Sequence, residues 1–177
     1  ETTDYKGWDW FKPVLSAALA SIDRLAPVQG YTRIGLRYVN ELRVPHEGSA
    51  PDWAEWVIPE LLGPGRRFAG LVDGQLMHQG IGQFRTGTDS LTTARYGSVI
   101  GPSSISPDGQ ALISPKTFPD GPFFVWDTDC AWNLPVTQSV PAFEAPAVEA
   151  QLEGLHLPVK SLFEAVITDR LRTEVLM

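Results

Sequence analysis

Residues Tyr31–Val44 read YTRIGLRYVNELRV, and their alternation decides the fold. Ile34, Leu36, Tyr38, Leu42 and Val44 share one parity, with Asn40 its single polar member, while Arg33, Arg37, Glu41 and Arg43 share the other. Successive side chains of a strand project to opposite faces, so the pattern predicts a long strand with one buried and one wet face. Gly30 turns the chain into it and Pro45 ends it. At strand rise the arginines from Arg33 to Arg43 cover about 33 Å. A bare hydrated face needs no such row. That face is therefore expected to meet a further part of the protein, a partner or a second copy of the chain.

Working outward, Trp10, Val14, Leu15, Ala18, Leu19, Ile22 and Leu25 recur at spacings of three and four, which predicts a helix from Asp9 or Pro13 to Leu25. After the strand, Ser49, Pro51, Asp52 and Glu55 mark a second helix start, with Pro59 and Gly63-Pro64-Gly65 as its breakers. Residues 66–129 read as an antiparallel meander: Arg67–Val72 and Gln75–Thr86 around an Asp73-Gly74 turn, then Leu91–Ile100, Ala111–Ser114 and Phe123–Asp129. Leu152, Leu155, Val159, Leu162, Phe163, Val166, Ile167 and Leu171 then form a broad helical stripe, which Pro158 kinks or divides.

The order α–β–α–β–β–β–β–α predicts a single α+β domain over residues 1–177. Its antiparallel sheet has about five to six strands, with the N-terminal helix and the long C-terminal amphipathic helix packed on one face. Leu36 and Tyr38 are expected to meet Phe163 and Ile167 there, because the strand and the last helix offer the largest apolar surfaces.

The composition, 43% hydrophobic and 20% charged, is that of a globular protein. No apolar run approaches the ~20 residues of a membrane helix, and ETTDYKGWDW lacks the basic start of a secretion signal. A single cysteine, Cys130, excludes an internal disulfide and fits a reducing cytoplasm. The net charge of −7 is uneven: seven Arg balance seven acidic residues over 33–95, whereas 96–177 hold four basic against ten acidic residues. No basic patch dominates, which argues against nucleic acid as the main partner.

Asp127 and Asp129, at i and i+2, point to one face of a strand. They could hold Mg²⁺ or Ca²⁺, or simply answer Arg33 and Arg37 across the sheet. Cys130 with His46, His78 or His156 has the composition of a nucleophilic triad but none of its flanking signatures. There is no phosphate-binding glycine loop, H-E-x-x-H or paired C-x-x-C, so no cofactor is expected. Asn40, an amide in an apolar row, must find a hydrogen-bond partner or cost about 1–3 kcal/mol. The expected partner is a neighbouring loop or helix end, with a ligand contact as the alternative. Of six tryptophans, Trp53 and Trp56 stand three apart beside Gly- and Pro-rich stretches and are read as an exposed binding patch.

The RIGLRYVNEL strand, the WDTD strand end and LHLPVKSLFEAVITDRLR together resemble an uncharacterised prokaryotic family, scattered among bacteria and archaea. The shared motifs are an RYxN strand (Arg37, Tyr38, Asn40), a D-x-D element (Asp127, Asp129) and an FExxITDxLR helix running from Phe163 to Arg172. Pro158 and the polar WDTDC depart from the family pattern. The resemblance implies that this chain is the C-terminal part of a longer protein. It brings no established activity, and its patchy distribution is that of accessory genes such as defence or toxin–antitoxin systems.

These readings favour a non-enzymatic interaction or regulatory module, with Arg33, Arg37, Asn40, Arg43, Trp53 and Trp56 as its contact residues. A protein partner or homo-oligomer is expected. One alternative is a small-molecule-binding domain with a pocket between sheet and last helix. The other is a metal-dependent enzyme built on Asp127 and Asp129.

Overall fold

A computed structural model describes residues 5–48, 50–68, 71, 77–102 and 118–176. In chain order these form α1 (Trp8–Leu25), β1 (Arg33–Leu42), β2 (Gly80–Arg85), β3 (Ser90–Gly101), β4 (Gly121–Asn133), α2 (Ala145–Val166) and α3 (Asp169–Glu174). Short 3-10 turns lie at Trp53–Glu55, Pro59–Leu61 and Gly65–Phe68. The fold is α+β. The sheet runs β1-β4-β3-β2, antiparallel throughout, with four strands among the described residues. The expected Asp73-Gly74 turn and the strand at Ala111–Ser114 lie outside them.

The register fixes what each face carries. Tyr38 pairs with Thr128, Asn40 with Trp126 and Leu42 with Phe124, and β3 continues the rows with Ala94 and Tyr96. Directly paired residues share a face, so the apolar parity of β1 joins that of β4 under α2. There α2 contacts both strands, and α1 packs against α2. Val148, Leu152, Leu155 and Val159 of α2 bury themselves with Ile34, Leu36 and Cys130, and Leu19 of α1 joins them. Each such side chain contributes about 1.5–3 kcal/mol by leaving water.

A second core forms where α2 ends. Val166 is its last helical residue, and Ile167 turns extended to make a β-bridge with Val57. The backbone bonds Ile58 N–H to Val166 O (2.9 Å) and Thr168 N–H to Trp56 O (3.1 Å) complete this short ladder. Ile167, Val166 and Leu171 pack there with Trp53, Trp56, Val57, Phe124 and Trp126. Leu36 and Tyr38 therefore belong to one core and Phe163 and Ile167 to the other, correcting the expected foursome. The stripe does not run as one helix down the strand, because the Val57 bridge competes for its last turn.

Other expectations are also revised. The helix expected before Pro59 is two separate 3-10 turns, the first capped by Asp52, whose side chain accepts from Ala54 N–H at 3.1 Å. Pro59 opens the second. Arg67 and Phe68 fall in a 3-10 turn and not in a strand. β4 reaches four residues past Asp129, to Asn133, because it pairs on both sides. Pro158 lies inside α2 without ending it.

Candidate functional site

The face of the sheet away from α2 is the notable surface. Its β1 parity carries Arg33 and Arg37, its β4 parity Asp127 and Asp129, and its β3 parity Arg95. Arg37 donates to Asp127 through Nε at 2.8 Å and Nη2 at 2.9 Å, a two-pronged grip one step diagonal to the strand register. Arg95 approaches the same carboxylate at 3.6 Å from the opposite strand. Arg33 donates through Nη2 to both oxygens of Asp129 at 3.2 Å. To reach it, the side chain lies over Gly35, where a Cβ would come within 2.7 Å of Nη1. Asp127 is only 5% exposed, yet both its guanidinium partners are about half exposed.

Ion pairing therefore occupies the two aspartates. A divalent ion would have to displace three guanidiniums, and like charge opposes it. Among the described residues no group of three or more His, Cys, Asp or Glu side chains could hold a metal ion. The triad candidates are dispersed: Cys130 Sγ meets Thr86 Oγ1 at 3.7 Å, His78 Nε2 meets the Leu61 carbonyl at 2.9 Å, and His156 Nδ1 meets Tyr38 Oη at 3.2 Å.

Not all the expected contact residues join this face. Arg43 leaves the row: its guanidinium lies over Phe123 and Phe118 (4.5 and 4.8 Å) and donates to the Pro102 and Pro119 carbonyls and to Glu41. It ties loops together because β1 has already ended at Leu42. Asn40 Nδ2 donates to the Trp126 carbonyl at 3.2 Å, so its partner is the neighbouring strand and not a loop or helix end. Trp53 and Trp56 are not an exposed patch. Trp56, 2% exposed, is core, with the Arg170 guanidinium 4.3 Å above its ring. Both indoles pack into the core with Phe124 and Ile167, and each removes a large apolar area from water.

An open concavity of about 1390 Å³ is lined by every residue from Leu36 to Leu42 of β1 and reaches across β4 and β3 to β2, with Asp127, Gly97 and Ile81 among its lining. Among the described residues β1 is an edge strand of the sheet. Tyr5, Phe11, Phe163 and Leu176 line its helix side, and Arg95, Asp127 and Ile81 its open-face side. The space between α2 and the sheet, where a pocket was expected, is filled by the core of Leu36, Leu152, Leu155 and Val159.

Beside this edge lies a polar cluster that sequence reasoning missed. Tyr38 Oη sits 3.2 Å from both Tyr5 Oη and His156 Nδ1. The Trp8 ring stacks on the imidazole at 4.3 Å, and its Nε1 donates to Glu153, which also pairs with Lys12 at 2.7 Å. Burial holds His156 below the usual histidine range, against the pull of Glu153. Burial, and then the bond to Tyr5, pushes Tyr38 far above the usual phenol range, so it remains a neutral hydroxyl. The lone signal in the sequence was a histidine inside an apolar helical stripe.

Compared with protein-family models, curated proteins and solved structures, the chain matches none.

Proposed function

We propose that this chain is a non-enzymatic interaction or regulatory module of a longer bacterial accessory protein, of the defence or toxin–antitoxin kind, acting in the cytoplasm. Its protein partner covers the open sheet face. The one-sided sheet carries this reading: α2 covers one face, while the other presents an ordered Arg/Asp ladder beside Ile81, 64% exposed. Surface ion pairs add little to folding, about 0–1 kcal/mol each. A ladder of them flanked by exposed apolar side chains has the composition of an interface rim and anchor.

Footprinting tests this on the full-length protein bound to a partner purified from its host. Protection should fall on Ile81, Arg95 and Arg37. Ile81→Glu, a change on the exposed strand directly opposite Arg95, should weaken the complex about tenfold or more while leaving the urea midpoint in place. Protection confined to the outer sides of α1 and α2, or a complex indifferent to Ile81→Glu, refutes the proposal. A second copy at the same face would instead appear as doubled mass in solution.

A further inference from the structure

The register on the open face assembles one row across all four strands: Val39 pairs with Asp127, Asp127 with Arg95, and Arg95 with Ile81. All four side chains line the same concavity, and Arg37 reaches into the row diagonally from β1. We infer that Arg95 and Arg37 together seat a carboxylate of the partner protein, an Asp or Glu side chain whose apolar neighbour packs on Ile81. This rests on the interaction-module reading above and names the chemistry that the partner brings.

The charges of this row carry the inference. Asp127 is nearly buried and already accepts two charge-assisted bonds from Arg37, at 2.8 and 2.9 Å, a full bidentate pair. Arg95 stands 3.6 Å from the same carboxylate, beyond hydrogen-bond distance. Its charge is therefore surplus to holding Asp127. The Arg33–Asp129 pair alongside is balanced, so in this ladder three guanidiniums answer two carboxylates. One positive charge is left over, on a chain whose net charge is −7. Both guanidiniums beside Asp127 are about half exposed, so an incoming anion meets them at the surface. Arg37 turns Nε and Nη2 to Asp127, and the rest of its five N–H donors point away from it.

One surplus charge matches one carboxylate. A phosphate group carries about −1.5 to −2 at pH 7 and would leave negative charge beside Asp127 and Asp129. The flanks of the row set the rest of the match. Ile81, 64% exposed, lies directly opposite Arg95, and Val39 closes the other end. An ion pair beside an apolar anchor is a frequent make-up of the few contacts that carry most of an interface's energy.

Hydrocinnamate is the probe, set against hydrocinnamamide, which keeps the ring and loses the charge, and against phenyl phosphate. In titrations followed at the arginine Nε–H resonances of the whole chain, the acid should shift Arg95 and Arg37. It should bind at least about tenfold more tightly than the amide, with a preference that shrinks in salt, and no less tightly than phenyl phosphate. Arg95→Gln should abolish the preference while the urea midpoint holds, because Arg37 keeps Asp127. In the complex with the host partner, Arg95→Gln should weaken binding about tenfold or more, and excess hydrocinnamate should compete. Equal binding of acid and amide, or shifts confined to other arginines, overturns the seat on the wild-type chain alone, even if Arg95→Gln fails to fold. Tighter binding of phenyl phosphate overturns the carboxylate. An acid that binds as expected beside a complex indifferent to Arg95→Gln overturns the assignment to a partner and gives the seat to a free carboxylic acid. If the complex protects Ile81 and weakens with Ile81→Glu, yet the acid binds no better than the amide, this inference fails and the face reading stands.

Discussion

Asp127 accepts both prongs of the Arg37 guanidinium, at 2.8 and 2.9 Å, from a position where its own side chain is almost wholly withdrawn from water. The neighbouring Arg33–Asp129 pair is longer, at 3.2 Å, and wetter. Removing a buried charge leaves its partners unpaired, whereas removing an exposed one releases them to water. Because the Arg37 guanidinium is itself half exposed, the cost is discounted towards the surface value. Asp127→Ala should lower the unfolding free energy by about 1–3 kcal/mol and Asp129→Ala by less than about 1 kcal/mol. Equal losses in urea titrations would show that the burial difference carries no energy.

Two glycines on the open face make opposite demands. At Gly35 an added Cβ meets only the far end of the Arg33 side chain, which can swing away. At Gly97 it would come within 1.8 Å of the His78 carbonyl oxygen, a backbone atom of the adjoining segment held by the His78 N–H bond to Ser98. Gly35→Ala should therefore fold with stability changed by less than about 1 kcal/mol, since the lost ion pair is offset by lower chain entropy. It should also lose salt sensitivity as Arg33 leaves Asp129. Gly97→Ala should cost more than about 3 kcal/mol or fail to fold. Thermal melts of the pair decide it, and similar melting points would refute the steric argument.

The alternation in Tyr31–Val44 was a reliable guide because period two survives any tertiary context that keeps one face dry. It placed Arg33 and Arg37 opposite Leu36, and it made Asp127 and Asp129 their natural answer. Arg95 could not be added to them, since only the register of β3 on β4 brings it over Asp127. Trp53 and Trp56 misled because spacing shows which residues share a face but not whether that face is covered. Their cover, Ile167, comes from more than a hundred residues away. Arg43 kept its parity on paper after the strand had stopped. The Tyr38–His156–Trp8 cluster was illegible for a similar reason, as it joins β1, α2 and α1 through side chains alone.

Thr168 holds the break between α2 and α3. Its hydroxyl donates to the Glu55 and Trp56 carbonyls (2.8 and 3.1 Å), and its Oγ1 accepts from Leu171 N–H at 3.3 Å as the cap of α3. Thr168→Val keeps the shape and deletes all three bonds. Losing a cap and a tether together should cost about 1–2 kcal/mol and should speed amide exchange first in α3. Unchanged exchange at Leu171 and Arg172 would mean that the Val57–Ile167 bridge alone fixes this junction.

His156 gives the fold a pH dependence whose sign follows from its burial. The imidazole lies between Trp8 and Tyr38, and burial lowers its pKa, so the folded chain accepts it neutral. The unfolded chain takes up its proton near the ordinary value of about 6.5. Below that pH the unfolded state binds more protons than the folded one, so stability rises with pH across the window. The contribution is fully present above about pH 6.5 and is lost as pH falls towards the folded value. Glu153 behaves alike for another reason: its hydrogen bond to Lys12 lowers its pKa, and its share is lost only at more acid pH, below the ordinary 4.5. Asp9 and Lys160 also face the imidazole, with opposing effects. The urea midpoint should therefore begin to fall between about pH 7 and pH 6, ahead of the carboxylates. His156→Gln should remove this first phase and keep the later one. A wild-type midpoint flat down to about pH 5, or a His156→Gln variant with the same early fall, would show that the stacked imidazole does not couple α1 to the sheet.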